Sequence, residues 1–253
     1  MQLTSDLAAV VTGGASGLGH AVAAALRAAE VKVTLIDRDA EKGEARAKEL
    51  GATFAEADVT SAESVANALQ VARAANGQER LCINCAGIAP AAKTVGRNGI
   101  HDLALFQSVI NVNLVGSFNV SSQSAAGMVE EGTDATCAGV IINTASIAAY
   151  EGQIGQVAYA ASKGGIVGLT LPMARDLARD KIRVMAIAPG IFGTPMVTGM
   201  PQEIQDALAS GIPNPARLGD PGEFAALALH IVENDFLNGS VIRLDGAARL
   251  APK

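Results

Sequence analysis

The chain has 253 residues, of which 49% are hydrophobic and only 17% are charged. A disordered chain is rich in charge and poor in apolar residues, so this composition predicts a folded domain with an ample core. The net charge is −6, from 19 basic and 25 acidic side chains. This balance argues against nucleic acid as the main partner, because nucleic acid favours a basic face.

The two longest uncharged stretches do not have the composition of membrane spans. Leu103–Val129 contains several Asn, Gln and Ser residues, and Val184–Gln202 is interrupted by three prolines. The N-terminal residues Met1–Asp6 lack the basic segment that opens a signal peptide. We therefore expect a cytoplasmic protein with no membrane partner.

Two of the three cysteines, Cys82 and Cys85, form a C-x-x-C pair. No second pair and no nearby histidine completes a zinc site, and no paired acidic cluster is present, so we expect no metal. A redox C-x-x-C normally opens a helix, whereas this pair ends an apolar strand. Burial is therefore favoured over redox chemistry, and the low cysteine count suits a reducing compartment.

Short apolar runs alternate with segments of helical length along the whole chain. The predicted strands are Ala8–Thr12, Lys32–Asp37, Thr53–Ala57, Leu81–Asn84, Gly139–Thr144, Arg183–Ala188 and Gly239–Leu244. The predicted helices are Leu18–Ala29, Ala40–Leu50, Ser61–Ala74, Leu103–Val129, Tyr159–Ala178 and Pro221–Val232. Most strands are continuously apolar, which is typical of parallel strands covered on both faces. This order predicts an α/β fold with a doubly wound, seven-stranded parallel sheet of the Rossmann type.

No linker or repeat divides the chain, so residues 1–253 are predicted to form one domain. Three long stretches are predicted to be irregular: 89–102, 130–138 and 190–214. Ligands of open α/β sheets bind beyond the carboxyl ends of the strands, and long loops there are often functional. We expect the loops 89–102 and 190–214 to shape a substrate site.

A glycine-rich turn follows the first strand and precedes a helix. Glycines at positions 13, 17 and 19 allow backbone N–H groups and a helix N-terminus to approach a pyrophosphate. A tight packing turn is the alternative interpretation. The placement between strand and helix favours a dinucleotide site.

The second and third strands end in acidic residues. Asp37 lies 24 positions after Gly13, where a carboxylate accepts hydrogen bonds from both ribose hydroxyls and repels a 2′-phosphate. This favours NAD over NADP, although Arg38 follows directly, and Asp37 can also be a solvated carboxylate at a strand end. Asp58 either binds the adenine amino group or caps the following helix.

Tyr159 and Lys163 are four residues apart and so share one helix face. A lysine cation close to a phenol stabilises the phenolate, so we expect the pKa of Tyr159 to be lowered and the residue to act as a general base. Ser146 lies just beyond the fifth strand, where its hydroxyl can orient a carbonyl oxygen. Tyr150, the only other tyrosine, has no lysine four positions later and is predicted to pack in a loop.

Together these motifs resemble the short-chain dehydrogenase/reductase family over the whole chain. The matching stretches are Thr12–Gly19, Asn84–Gly87 (Asn-Cys-Ala-Gly), Asn111–Leu114, Ser146, Tyr159–Lys163 and Pro189–Gly190. The resemblance implies a catalytic tetrad of Asn113, Ser146, Tyr159 and Lys163. In it, Tyr159 exchanges the hydroxyl proton, Lys163 holds the nicotinamide ribose, Ser146 orients the substrate oxygen, and Asn113 holds a water that relays the proton.

Further stretches resemble the 3-hydroxyacyl-CoA dehydrogenases within this family, including residues 141–153, 187–195 and 236–246. That resemblance implies NAD as the cofactor, a homotetramer, and an acyl-CoA thioester as the substrate. The implied cofactor-binding residues are Gly13, Ser16, Gly17, Leu18, Gly19, Asp37, Asp58, Val59, Cys85, Ala86, Gly87, Tyr159, Lys163, Pro189, Gly190, Phe192 and Thr194. The expected substrate-binding residues are Ser146, Gln153 and Tyr159. The alternatives are a steroid or simple secondary-alcohol dehydrogenase and an NAD-binding scaffold without turnover.

Overall fold

The computed structural model describes residues 1–97, 99–132 and 137–252. The strands in these residues are β1 (Ala8–Thr12), β2 (Lys32–Asp37), β3 (Thr53–Glu56), β4 (Leu81–Asn84), β5 (Val95–Gly96), β6 (Gly99–Ile100), β7 (Gly139–Thr144), β8 (Ile182–Pro189) and β9 (Val241–Leu244). The α-helices are α1 (Gly17–Ala28), α2 (Ala40–Leu50), α3 (Ala62–Asn76), α4 (Leu103–Ile110), α5 (Ser117–Glu131), α6 (Ala148–Glu151), α7 (Val157–Asp176), α8 (Pro195–Thr198), α9 (Gln202–Ser210) and α10 (Pro221–Glu233).

Seven of the described strands form one parallel sheet in the order β3-β2-β1-β4-β7-β8-β9. The predicted doubly wound architecture is thus confirmed. The chain runs outward from β1 to β3 and then returns to place β4 on the other side of β1. The crevice beyond the carboxyl ends of β1 and β4 is therefore the switch point at which ligands of such sheets bind.

Two hydrophobic layers cover the sheet because successive strand residues point to opposite faces. Val11 and Ile83 pack with α1 and α10, which contribute Leu26 and Phe224. On the opposite face, Val10 and its neighbours pack with residues of α3, α5 and α7. Both faces are thus buried, which explains why the strands are continuously apolar.

Side-chain caps define several helix ends. The Ser61 hydroxyl accepts from the Ser64 backbone N–H at the start of α3. Asp220 and Glu223 form a reciprocal capping box at the start of α10. Local sequence therefore determines where these two helices begin.

The predicted irregular stretches contain more structure than expected. The loop 89–102 includes the antiparallel hairpin β5–β6, and the loop 190–214 includes α8 and α9. These elements are short and largely exposed, so they lack the long apolar patterns by which the other elements are predicted. In the predicted loop 130–138, residues 133–136 lie outside the described residues. The interpretation of Tyr150 as a loop residue is wrong, because it lies in α6.

Residues 103–131 form one continuous helical segment, in which a π-helical turn, Asn111–Gly116, joins α4 to α5. Its length and composition alone would permit a membrane span. Within the fold, the segment packs against α7 and α3, and Ser121 hydrogen-bonds to Asn84 of the sheet. A π-turn of this kind often marks a functional site, and here it carries Asn113.

Candidate active site

A cavity of about 1000 Å³ opens at the carboxyl edge of the sheet, above the crevice between β1 and β4. Every predicted site residue except Asn113 lines it. The cavity also has an apolar side, formed by Ile147, Ile191, Val197, Met200, Leu208 and Leu250. Its volume is at the upper end of ordinary ligand pockets, which leaves room for a dinucleotide and a second molecule together.

The glycine turn forms a cradle that only glycines allow. Gly13 has φ +65°, and a Cβ there would lie 2.8 Å from the backbone nitrogen of Ala86. A Cβ at Gly19 would collide with the Gly13 carbonyl oxygen. Ser16 is extended and does not cap α1 with its side chain, so the first N–H groups of α1 remain directed at the cavity. Backbone donors at a helix N-terminus fit a pyrophosphate.

Asp37, the last residue of β2, faces the same cavity. One carboxylate oxygen accepts from the Ala15 N–H at 3.1 Å, and the other accepts from the Asp39 N–H at 3.2 Å. Each oxygen retains a free lone pair, so the carboxylate can still accept from two ribose hydroxyls. Arg38 also lines the cavity, but its side chain is exposed.

Asp58 and Val59, the residues predicted to bind the adenine edge, both line the cavity. The Asp58 carboxylate accepts from the Thr60 N–H at 2.9 Å and from the Thr60 hydroxyl at 2.7 Å, and these bonds lower the pKa of Asp58. Asp58 is not the helix cap, because Ser61 has that role. Val59 is buried against the π-turn, where a Cβ at Gly116 would lie 2.6 Å from it.

The segment that follows β4 is held by the Thr12 hydroxyl, which accepts from the N–H groups of Cys85 and Ala86 at 3.1 and 3.2 Å. The Cys85 thiol accepts from the Thr144 hydroxyl. Burial raises the pKa of Cys85 to about 11 and that of Cys82 to about 12. Both thiols are therefore protonated at neutral pH, which agrees with burial rather than redox chemistry for the C-x-x-C pair.

Ser146 and Tyr159 meet on the floor of the cavity. Ser146 follows β7, and its hydroxyl accepts from the Ala148 N–H at 3.1 Å. Burial raises the pKa of Tyr159 above its usual value, and hydrogen bonding by the nearby Ser146 side chain lowers it only in part. The expectation that the chain's own groups lower this pKa is wrong.

Lys163 lies beside Tyr159 and is held by the end of β7. Its ammonium donates to the Thr144 carbonyl at 2.6 Å and lies 5.8 Å from the centre of the Tyr159 ring. Lys163 is almost completely buried, and burial lowers its own pKa to about 8. The lysine is therefore bound mainly to the backbone of β7, and burial disfavours the charged forms of both Lys163 and Tyr159.

Asn113 lies behind the cavity rather than on its surface. Its amide oxygen accepts from the Ile88 N–H at 2.8 Å, and its NH₂ group donates to the Ile88 carbonyl and the Ser162 hydroxyl at 2.9 and 3.0 Å. The side chain thus holds the segment after β4 against the helix that carries Tyr159. The water-relay role stays a prediction.

The remaining predicted residues come from β8 and the stretch after it. Pro189, Gly190, Phe192 and Thr194 line the cavity, with Gly190 hydrogen-bonded to Leu244 and Phe192 buried against Phe224. Gln153 also lines the cavity, but its side-chain amide donates to the Ala251 carbonyl at 3.0 Å. Sequence patterns therefore correctly predict that these residues lie together, but they do not predict the hydrogen-bond and packing partners of each residue.

Sequence reasoning missed the contribution of the C-terminus. Leu250 lines the cavity, although it lies more than 85 positions from Lys163 and belongs to no recognised motif. Gln156, which precedes α7, was also missed; it lines the cavity and accepts from the Gln153 N–H at 3.0 Å. Neither residue has a local signal, because both positions depend on how distant segments pack.

Comparisons with known proteins agree with this geometry. Residues 7–205 match the family model described as short chain dehydrogenase. The 3-hydroxyacyl-CoA dehydrogenase type-2 of Bos taurus is 54% identical over 97% of this chain and 96% of its own length. The protein of the same name from Drosophila melanogaster is 49% identical over 99% of this chain and all of its own length.

A solved structure gives the same result in three dimensions. The crystal structure of 3-hydroxyacyl-CoA dehydrogenase type-2 from Mycobacterium avium matches with a TM-score of 0.95 and 42% identity, and each chain is covered completely. The protein therefore belongs to the short-chain dehydrogenase family. It is an oxidoreductase that acts on CH–OH groups with a nicotinamide cofactor, and the glycine cradle and Asp37 fit such a cofactor.

Proposed function

We propose that this protein oxidises 3-hydroxyacyl-CoA thioesters to 3-oxoacyl-CoA thioesters with NAD, and catalyses the reverse reduction with NADH. The observation that carries the proposal is that Ser146 and Tyr159 line, beside buried Lys163, the same cavity that Asp37 lines. The names of the relatives support the acyl-CoA substrate. The apolar side of the cavity offers a surface for an acyl chain.

The proposed chemistry assigns one task to each polar side chain. Ser146 donates a hydrogen bond to the substrate oxygen and is itself oriented by Tyr159. During oxidation, Tyr159 takes the proton of the substrate hydroxyl as the C–H bond of the carbon that bears this hydroxyl is broken. During reduction, Tyr159 returns that proton. NAD⁺, when bound, supplies the hydride acceptor and a positive charge that favours the phenolate. Lys163, held by Thr144, adds a second positive charge next to the phenol.

The preference for NAD over NADP rests on Asp37. The two backbone bonds hold its carboxylate in place, and the remaining lone pairs suit the two hydroxyls of an unmodified ribose. A 2′-phosphate would bring further negative charge to the same position. Arg38 also lines the cavity, but its side chain is exposed, and solvent weakens the attraction that it could offer to a phosphate.

The test is steady-state kinetics with acetoacetyl-CoA, first with NADH and then with NADPH. We expect turnover with a clear preference for NADH. Turnover of a steroid or a simple ketone, with acetoacetyl-CoA unused, would replace the acyl-CoA assignment by the alternative dehydrogenase. Tight NADH binding without turnover of any substrate would instead favour the scaffold interpretation.

We further propose that the protein is a cytoplasmic homotetramer without a membrane partner. Large apolar side chains remain exposed on α5 and α7, including Phe118 and Leu171, and a subunit interface would cover them. Light scattering during gel filtration tests the assembly, and a monomer would contradict it. Cell fractionation followed by immunodetection tests the location, and recovery with the membranes would contradict it.

A further inference from the structure

The last described residues, which end at Pro252, fold back onto the segment that precedes the catalytic helix. Gly246 and Ala247 have positive φ values of 57° and 63° and reverse the chain after β9. The Ile154 N–H then donates to the Pro252 carbonyl at 3.1 Å. The Gln153 amide donates to the adjacent Ala251 carbonyl. This segment, residues 247–252, is the C-terminal tail, and it runs alongside the connection between α6 and α7.

Arg243 of β9 connects the tail with α6. Its guanidinium forms two bonds to the Glu151 carboxylate, at 2.8 and 3.0 Å, and a third to Asp245 at 2.7 Å. It also donates to the Ala248 carbonyl at 3.2 Å and lies 5.2 Å from the centre of the Tyr150 ring. One cation therefore holds β9, α6 and the start of the tail in a defined arrangement.

A second arginine joins the same two carboxylates less closely. Arg249 lies 3.4 Å from Glu151 and 3.3 Å from Asp245. Its side chain is 60% exposed, whereas that of Arg243 is 25% exposed. Solvent weakens the outer pair more than the inner one, so Arg243 is the main anchor.

The anchored tail contributes to an apolar wall next to the reacting groups. We define the tail wall as the packed cluster of Ile147, Ile191, Ile212, Leu218, Ala248 and Leu250. Ile147 directly follows Ser146, and its N–H donates to the Pro189 carbonyl. Ile147, Ile191 and Leu250 face the cavity. The wall therefore begins one residue from the group that orients the substrate oxygen.

We propose that Leu250 is a specificity-determining residue that contacts the acyl chain, and that Arg243 is the positioning residue that holds Leu250 there. This inference rests on the proposed acyl-CoA function. A longer chain contacts more of the tail wall than a short one does, so the loss of Leu250 should affect long substrates selectively. Arg243 touches no substrate and acts only through Glu151, Asp245 and Ala248.

The kinetic test compares Leu250→Ala, Leu250→Met and Arg243→Lys with the unmodified protein. For 3-oxodecanoyl-CoA, we expect Leu250→Ala to raise KM about tenfold with little change in kcat, because lost apolar contacts in a pocket have effects of this order. For acetoacetyl-CoA, KM should change less than about twofold. Leu250→Met keeps an apolar side chain of similar size, so its KM for 3-oxodecanoyl-CoA should stay close to that of the unmodified protein. Equal effects on both thioesters, or no effect on either, would overturn the role of Leu250.

Arg243→Lys should give the same chain-length pattern, because one ammonium cannot replace the bonds to both carboxylates. The matched control is Arg217→Met, which removes an arginine bound to Glu223 at 2.8 Å outside the cavity. The control should change neither KM. A purely structural role of Arg243 would instead lower kcat for both substrates equally, and that result would contradict the inference.

Hydrogen exchange tests the anchor without any substrate. Arg243→Lys should speed exchange of the Ile154 amide and of the segment 147–156, whereas Arg217→Met should leave both unchanged. Wild-type protection in Arg243→Lys would overturn the anchoring role even if the protein turns over no acyl-CoA. Conversely, faster exchange together with inactivity on all thioesters would refute the proposed function while the anchor stands, and Leu250 would then lose its substrate role.

Discussion

Replacement of Asp37 by Asn removes the negative charge of this side chain and nearly preserves its shape. The carboxylate already accepts from Ala15 and Asp39 and keeps one free lone pair on each oxygen. In Asp37→Asn, one of the two oxygens becomes an NH₂ donor, so one bond between a ribose hydroxyl and a charged acceptor is lost. Such a bond contributes about 1.5–3 kcal/mol. NADH binding should therefore weaken by about tenfold to a hundredfold.

NADPH binding should improve in the same variant. The attraction or repulsion of two unit charges 4 Å apart is about 1 kcal/mol in water, so removing the carboxylate charge should strengthen NADPH binding by about fivefold. The measurement is the Kd of each cofactor from nucleotide fluorescence, which needs no substrate. The control is Asp220→Asn, because Asp220 caps α10 through Gly222 outside the cavity, so the ratio of the two Kd values should stay unchanged. An unchanged ratio in Asp37→Asn would refute the role assigned to this carboxylate.

Three further predictions concern other parts of the molecule. Tyr159→Phe should lower kcat by about a hundredfold or more while NADH binding persists, and near-wild-type turnover would contradict the proton-transfer role. Cys85 has a pKa of about 11, so iodoacetamide at pH 8 should label it only after unfolding in urea, and mass spectrometry of the native protein decides this. Arg217 lowers the pKa of Glu223 from 4.5 to about 2, so the pair stabilises the fold above about pH 4.5 and loses its effect as the pH falls toward 2. The difference in urea midpoint between wild type and Glu223→Gln should therefore shrink as the pH falls from about 4.5 toward 2. A difference that stays constant over this pH range would contradict the stabilising role of the pair.

Much of the fold was predictable because its signals are local. Seven apolar runs separated by helical segments define a parallel sheet, and the crossover rules leave few ways to arrange it. The turn at Gly13 and the carboxylate at Asp37 lie at strand ends, where the sheet topology alone brings them together. The spacing of Tyr159 and Lys163 places both on one helix face without any knowledge of packing.

Properties that depend on distant contacts were not predictable in this way. The pKa of Tyr159 is raised rather than lowered, because burial of the phenol decides the direction. Asn113 has a recognisable position, but its partner Ile88 is 25 residues away. The helices α8 and α9 span only four and nine residues, which is too short for a helical pattern to be recognised.

The C-terminal tail shows the same division most clearly. Its sequence contains no motif, and Arg243 reads as an ordinary strand residue. Only the tertiary structure brings Arg243 to Glu151, 92 positions earlier, and Leu250 to the cavity. Local patterns identify the class of enzyme because cofactor binding and proton transfer use residues at strand ends and on one helix. The shape of the substrate site is decided later, because it is formed by side chains that meet only when the chain folds.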